Sequence, residues 1–117
     1  IDRWFNFYFE AKERGLDPLW TINHGWISGI YYKDPDGNLV EIFFEHFSSA
    51  EEFKSNISPD FEDEPIGTNM DVEVLYEMYK AGSDFSELIT NGNTVPEGKK
   101  PVSGFDAVVN MKKKFKD

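Results

Sequence analysis

The first fourteen residues have the hydrophobic spacing of an amphipathic helix. Apolar side chains recur every three or four residues, at Ile1, Trp4, Phe5, Tyr8 and Ala11. Such spacing places them along one side of a helix. Gly15 and the pair Asp17-Pro18 follow; glycine suits the left-handed conformation after a helix end, and proline cannot continue a helix. The pattern therefore predicts a helix over 2–14.

The pattern then changes to short runs rich in β-branched and aromatic residues, over 19–22, 27–33 and 39–44. Runs of this length and composition predict strands. The second and third runs are separated by the residues DPDGN at 34–38. In that segment the proline presets the φ angle of a turn and Gly37 permits a positive φ. We expect these two strands to form a hairpin.

The third predicted strand carries a carboxylate between apolar neighbours. Because side chains alternate between the faces of a strand, one face carries Leu39, Glu41, Phe43 and Glu45, and the other carries Val40, Ile42 and Phe44. We expect this strand to be well buried on both faces. A carboxylate there should be paired, protonated or bound to a cation. On the residues alone, Glu41 is either a structural or exposed-edge residue or a functional carboxylate, and Glu45 is a solvated strand end.

Beyond residue 47 the sequence predicts mainly helices. The predicted elements are a short helix from a Ser49–Glu52 capping box to about Asn56, a helix capped by Asp71 and closed by Gly82, one or two turns over 84–89, a loop over 91–104 and a last helix over 106–116. No break in composition supports a second domain. We therefore treat 48–117 as an acidic, mostly helical C-terminal extension of the domain that begins with 1–47.

The composition limits the classes of function. A chain of 117 residues, 39% of them hydrophobic, can bury one core, and no apolar run approaches the roughly 20 residues of a membrane helix. A net charge of −10 repels phosphate backbones and argues against nucleic-acid binding. The absence of cysteine excludes disulfides, Cys-ligated zinc, iron–sulfur clusters and a thiol nucleophile. Nothing indicates secretion, so we expect a cytoplasmic protein.

Two histidines and two tyrosines are the remaining polar residues of interest near the predicted strands. His24 lies in a loop or at a strand end, and it is either a structural or exposed histidine or a functional one. His46 lies among phenylalanines, and its offset of five from Glu41 places it on the opposite face, so we expect it to be a packing residue. Tyr31 and Tyr32 are adjacent and should face opposite ways; most strand tyrosines pack with a wet hydroxyl.

The run from His24 to Phe43, HGWISGIYYKDPDGNLVEIF, is similar to a known signature. It combines a tyrosine, an Asp-Pro-x-Gly-Asn turn and a glutamate ten residues after the tyrosine. It resembles the end of a βαβββ module of the vicinal oxygen chelate superfamily, which includes glyoxalase I, bleomycin-resistance proteins and extradiol ring-cleaving dioxygenases. Within that group it looks most like the C-terminal module of a catechol- or biphenyl-diol-type dioxygenase. The match covers about 2–47 and implies an α+β fold.

The resemblance implies roles for three residues. Glu41 would match the carboxylate ligand of the metal, His24 a histidine beside the oxygen-binding side, and Tyr31 a tyrosine that hydrogen-bonds the substrate. We expect Fe(II) as the metal, with Mn, Zn or Ni as alternatives, because two imidazoles and one carboxylate hold Fe(II) on one face and leave positions open. The implied substrates are a catecholic aromatic molecule and dioxygen, and His24 would accept or donate protons.

One departure from the family concerns the other two ligands. The metal-ligating histidines of this family lie on first strands of modules, upstream of the helix, and neither His24 nor His46 occupies such a position. We therefore expect the first strand of the module to be missing from this chain. The histidines would come from an upstream segment, which we favour, or from a second chain, as in a homo-oligomer; otherwise the protein is non-catalytic. The leading function is an extradiol-type dioxygenase, and the alternatives are a glyoxalase-like lyase or a non-catalytic binding module.

Overall fold

The helices and strands follow the hydrophobic pattern of the sequence closely. The computed structural model describes residues 1–56, 67–90 and 92–94. Its elements are α1 (Asp2–Glu13), β1 (Trp20–Asn23), β2 (Ile27–Lys33), β3 (Leu39–Glu45), α2 (Ala50–Asn56), β4 (Thr68–Asn69), α3 (Val72–Lys80) and α4 (Phe85–Leu88). The strands form a four-stranded antiparallel sheet in the order β3-β2-β1-β4. The combination of helices with this sheet confirms the predicted α+β class.

The predicted hairpin joins β2 to β3. Asp34 is central to its turn, because its backbone N–H donates to the Asn38 carbonyl at 2.8 Å while its carboxylate accepts from the Asn38 N–H at 2.7 Å. Gly37 has a φ of +87°, which side chains with a Cβ rarely adopt. The turn fixes the register of the hairpin, in which Tyr31 lies opposite Glu41.

The hydrophobic core lies between one face of the sheet and helices α1 and α3. Its fully buried side chains include Phe5 of α1, Ile30 of β2 and Leu75 of α3. Trp4 connects helix and sheet, since its indole N–H donates to the Ile42 carbonyl at 3.0 Å and its ring packs edge-on against Phe44. Burial of this face explains the three- and four-residue spacing of apolar positions in α1.

Strand β4 was not predicted. It contains two residues, and Asn69 pairs with Ile22 of β1. A strand of this length has no alternation that could be read from sequence. The described residues begin with α1 and three strands, the αβββ order expected if the first strand of a βαβββ module is missing. The complete βαβββ module stays a prediction, and the fourth strand follows α2. The predicted division at residue 47 stays a prediction.

The expectation that β3 is buried on both faces is wrong. Within the described ranges β3 is an edge strand and pairs only with β2. Val40 on one face and Phe43 on the other are both exposed, the latter at 50%. The apolar composition of β3 suggested burial. Composition alone does not show whether another element packs against either face of a strand.

The predicted helix caps are present, with one difference. Asp71 caps α3, since one of its carboxylate oxygens accepts from the backbone N–H groups of Glu73 and Val74. At α2 the Ser49 hydroxyl accepts from the Glu52 N–H, as in a capping box. The difference is that the Glu52 carboxylate accepts from the N–H and hydroxyl of Ser48, where a capping box uses the N–H of the cap residue itself. The predicted helix over 106–116, and most of the predicted loop over 91–104, lie outside the described residues. No helix in the described part is long and apolar enough to span a membrane.

His46 is a buried packing residue, on the same side of the sheet as the core. It is 3% exposed, its Nε2 lies 2.7 Å from the Ser28 hydroxyl, and its Nδ1 lies 3.1 Å from the Gly25 carbonyl oxygen. Since a carbonyl only accepts, Nδ1 carries the proton and Nε2 accepts from Ser28. Burial lowers the pKa of His46 to about 4.

His46 should therefore make the protein less stable in acid. The native state keeps the ring neutral, whereas the unfolded chain takes up a proton below its ordinary pKa of about 6.5. The contribution is fully present above pH 6.5 and should fall by about 1.4 kcal/mol per pH unit between 6.5 and 4. We expect the difference in unfolding free energy between wild type and His46→Gln, measured with urea, to shrink over this interval. A difference that is constant with pH would contradict the assignment.

Candidate active site

The register of the sheet brings the candidate residues to the face opposite α1. Trp20 of β1 lies opposite Tyr31 of β2, and Tyr31 lies opposite Glu41 of β3. The next row on the same face contains Gly29 and Phe43. We call the surface formed by these five residues the site face. Three neighbouring strands thus place an indole, a phenol and a carboxylate in one row.

The Glu41 carboxylate lies directly over Gly29. A Cβ atom built at Gly29 would be 2.3 Å from Oε2 of Glu41, so only glycine leaves room for the carboxylate in this position. Oε2 is buried and accepts no hydrogen bond from any described residue. A buried carboxylate oxygen without a hydrogen bond is costly and requires an explanation. Nε2 of His24, 3.4 Å from Oε2, would form an ion pair with it when the imidazole is protonated.

His24 reaches the same place from the turn after β1. Its Nε2 lies 3.1 Å from the Tyr31 hydroxyl and 3.4 Å from Oε2 of Glu41. Gly25 directly after it has a φ of +94°, which turns the chain sharply before β2 begins. The structure thus brings together the three residues that the sequence singled out, His24, Tyr31 and Glu41.

Tyr31 is held as a neutral phenol. Burial raises its pKa well above the ordinary range, and hydrogen bonding to the Glu41 carboxylate and the negative charge of that group raise it further. The hydroxyl therefore stays protonated at any ordinary pH and is able to donate a hydrogen bond. Because Nε2 of His24 is 3.1 Å away, the phenol and the imidazole are close enough to exchange a proton.

Two residues of this site were missed from the sequence. The ring of Trp20 stacks on Tyr31, with centroids 5.1 Å apart and an interplanar angle of 24°. Its indole N–H donates to the side-chain carbonyl of Asn69 at 2.7 Å. Trp20 could have been found from the register of β1 against β2, but Asn69 lies in the unpredicted strand β4 and carried no signal.

The remaining candidates lie on the other side of the sheet. Tyr32, adjacent to Tyr31, is 4% exposed, and its hydroxyl has no hydrogen-bond partner among the described residues. Burial raises the pKa of Tyr32 to about 12, with the negative charge of Asp17 as a smaller cause. His46 likewise contacts Ser28 rather than the site face. Neither residue can act on a molecule bound at Glu41.

The described residues fit one ligand position of a metal site. Glu41 supplies a carboxylate whose Oε2 lacks a hydrogen bond, and carboxylates are among the ligands that divalent iron and manganese bind. No group of three His, Cys, Asp or Glu side chains within these ranges could hold a metal ion. The part of the chain that is described could therefore offer one carboxylate ligand, but not a complete metal site.

The chain is similar to two curated proteins named as dioxygenases. It is 34% identical over 84 residues to biphenyl-2,3-diol 1,2-dioxygenase 3 of Rhodococcus globerulus, and 29% identical over 99 residues to biphenyl-2,3-diol 1,2-dioxygenase 2 of the same organism. The matches include 71% and 81% of this chain, but 44% and 52% of the two relatives. The chain thus spans about half the length of these curated relatives. Their names agree with the predicted resemblance to extradiol dioxygenases.

No family model matches the chain, and no solved structure matches it.

Replacing Gly29 with alanine tests the fit between the carboxylate and β2. The new Cβ would lie 2.3 Å from Oε2, so Glu41 must move. We expect Gly29→Ala to lower the unfolding free energy by about 1 kcal/mol, since a carboxylate end can swing aside. The cost should vanish in a Glu41→Ala background, and a double-mutant cycle in urea measures this. An equal cost in both backgrounds would show that Glu41 does not occupy the space over Gly29.

Proposed function

We propose that this chain is the part of an extradiol-type ring-cleaving dioxygenase that carries the carboxylate ligand of a divalent metal. The substrates would be a catecholic molecule and dioxygen, the metal Fe(II), and the location cytoplasmic. The observation that carries the proposal is the grouping of His24 with Tyr31 and Glu41 of the site face. Nε2 of His24 lies 3.1 Å from the Tyr31 hydroxyl and 3.4 Å from Oε2 of Glu41. Two relatives named biphenyl-2,3-diol 1,2-dioxygenase support the class of reaction.

Each of the three residues has a distinct task in this proposal. Glu41 would hold the metal through its carboxylate, for which the missing hydrogen bond at Oε2 is the support. Iron, when bound, supplies open coordination positions for a catecholate and for dioxygen. Tyr31 would donate its hydroxyl proton in a hydrogen bond to an oxygen of the bound substrate, since its raised pKa keeps it protonated. His24, next to Tyr31, would accept and return the protons that ring opening displaces.

The free edge of β3 is where we propose that the site is completed. In the described part of the chain β3 pairs on one side only, and Glu41 lies in its middle. A strand added beside β3 would set its side chains next to Glu41, because residues opposite each other on neighbouring strands lie about 5 Å apart. An upstream segment, or a second copy of the chain, would supply such a strand with histidine ligands.

The metal content of Glu41→Gln tests the first role. Glutamine has nearly the shape of glutamate but no negative charge, so the fold should be kept. We expect metal affinity of the complete protein to fall at least about tenfold, since even residues that only support a metal ligand contribute 10- to 100-fold. Iron content after purification and the dissociation constant for added Mn(II) measure the loss.

Glu45→Gln is the matched control for this experiment. Glu45 lies on the same strand and the same face, four residues away, and is exposed. Its variant should retain as much metal as the wild type. Equal metal in Glu41→Gln and wild type would remove Glu41 as a ligand and leave it a structural residue.

Adjacent tyrosines provide a matched pair for the second role. Tyr31→Phe should lower the turnover number about 10²-fold, comparable to the loss of one hydrogen-bond donor to a developing negative charge. Tyr32→Phe should leave turnover near the wild-type value, because its hydroxyl lies on the other side of the sheet without a hydrogen bond from a described residue. Oxygen uptake with simple catechols on the metal-replete, complete protein makes the comparison.

The same assay separates the alternatives. Equal rates in the two tyrosine variants would exclude the proposed role of Tyr31. A wild-type protein that isomerises a substrate without oxygen uptake, and prefers Zn or Ni, would be a glyoxalase-like lyase. A protein that consumes no oxygen with any catechol and isomerises nothing would be a binding module.

A further inference from the structure

The indole ring of Trp20 contacts the rings of both Tyr31 and His24. Trp20 is also hydrogen-bonded to Asn69 of another strand, β4. Its indole stacks on Tyr31 and meets the His24 ring nearly at right angles, at 83° and 6.0 Å between centroids. It is 8% exposed, so these contacts are made in a packed environment. The plane of the indole therefore limits where the phenol and the imidazole can lie.

The orientation of the indole depends on Asn69. The side-chain carbonyl of Asn69 accepts from the indole N–H at 2.7 Å, and the indole has no other hydrogen-bonding group. Flipping the ring would break this hydrogen bond and leave a buried donor unpaired, which is costly. Asn69 thus selects one of the two ring orientations that would stack on Tyr31.

Asn69 is itself fixed, although β4 is only two residues long. The following residue, Met70, exchanges hydrogen bonds with Thr21 of β1: its N–H donates to the Thr21 carbonyl at 3.0 Å, and its own carbonyl accepts from the Thr21 hydroxyl. On the other side, Gly67 approaches β1 so closely that a Cβ there would lie 2.1 Å from the Asn23 carbonyl oxygen. Both contacts hold β4 against β1 at the point where Asn69 meets Trp20.

We propose that Trp20, oriented by Asn69, is a positioning residue for Tyr31 and His24. The expected effect on turnover rests on the proposed function. The effect on the position of Tyr31 can be tested without measuring activity. In this proposal β4, which begins 48 residues beyond Trp20, helps to position the residues of the site. Neither Trp20 nor Asn69 would touch the substrate in this role.

The test compares two variants at the acceptor end of the hydrogen bond between Trp20 and Asn69. Asn69→Ala removes the acceptor and leaves the indole in place, and Asn69→Asp restores an acceptor of the same shape. Trp4→Phe is the matched control, because Trp4 also donates one indole N–H, to the Ile42 carbonyl, but on the core side of the sheet. The probes are the aromatic ¹H–¹³C resonances of Tyr31, assigned with Tyr31→Phe, and the kinetics of oxygen uptake by the complete protein.

We expect the Tyr31 resonances to shift in Asn69→Ala, to return in Asn69→Asp and to stay in place in Trp4→Phe. The turnover number should fall about tenfold in Asn69→Ala with little change in KM, since small errors of position cost up to about 10²-fold. Unshifted resonances in Asn69→Ala, or an equal shift in Trp4→Phe, would overturn the proposal. If the wild type consumes no oxygen, the dioxygenase function fails, while the resonances still decide whether Trp20 positions Tyr31.

Discussion

The antiparallel register of β1, β2 and β3 is the constraint on which the candidate site depends. It is fixed at one end by the Asp34–Asn38 turn and places Trp20, Tyr31 and Glu41 in adjacent positions of one row. If one of these strands shifted by a single residue against its neighbour, its side chain in this row would move to the opposite face, away from the other two. The candidate site therefore relies on a turn that begins three residues after Tyr31 and ends three residues before Glu41.

The two faces of the sheet differ: one packs against helices, and the other carries the candidate site. The core face is closed by α1 and α3 and pairs His46 with Ser28 and Gly25, although the buried Tyr32 hydroxyl has no hydrogen bond from a described residue. The site face instead keeps a buried carboxylate oxygen without a hydrogen bond from the described residues, beside a protonated phenol and an imidazole. Packing of the first face makes the second rigid, and a rigid support is what a site with fixed distances requires.

Glycine determines how closely the parts of the site approach. At Gly29 the absence of a side chain lets the Glu41 carboxylate lie against β2, and at Gly67 it lets β4 reach the backbone of Asn23. Both glycines act by the space they leave, which is why neither is recognisable as a site residue in the sequence. The similarity to biphenyl-2,3-diol 1,2-dioxygenases concerns the same part of the chain, and it covers about half of each relative.

The sequence by itself determined the local structure and three of the candidate residues. Periodicity defined α1 and the three strands to within a residue or two, and the DPDGN turn defined the hairpin, because these signals come from residues that are neighbours along the chain. Glu41, His24 and Tyr31 were singled out by residue type and by resemblance. The burial of β3 was predicted wrongly, since composition does not reveal which edge of a sheet a strand occupies. Only the tertiary structure revealed the hydrogen bond between Trp20 and Asn69 and the stacking of Trp20 on Tyr31. It also revealed the Glu41 carboxylate oxygen that lies over Gly29 without a hydrogen bond from a described residue. These features arise from contacts between residues up to 49 positions apart, and no local pattern encodes such a contact.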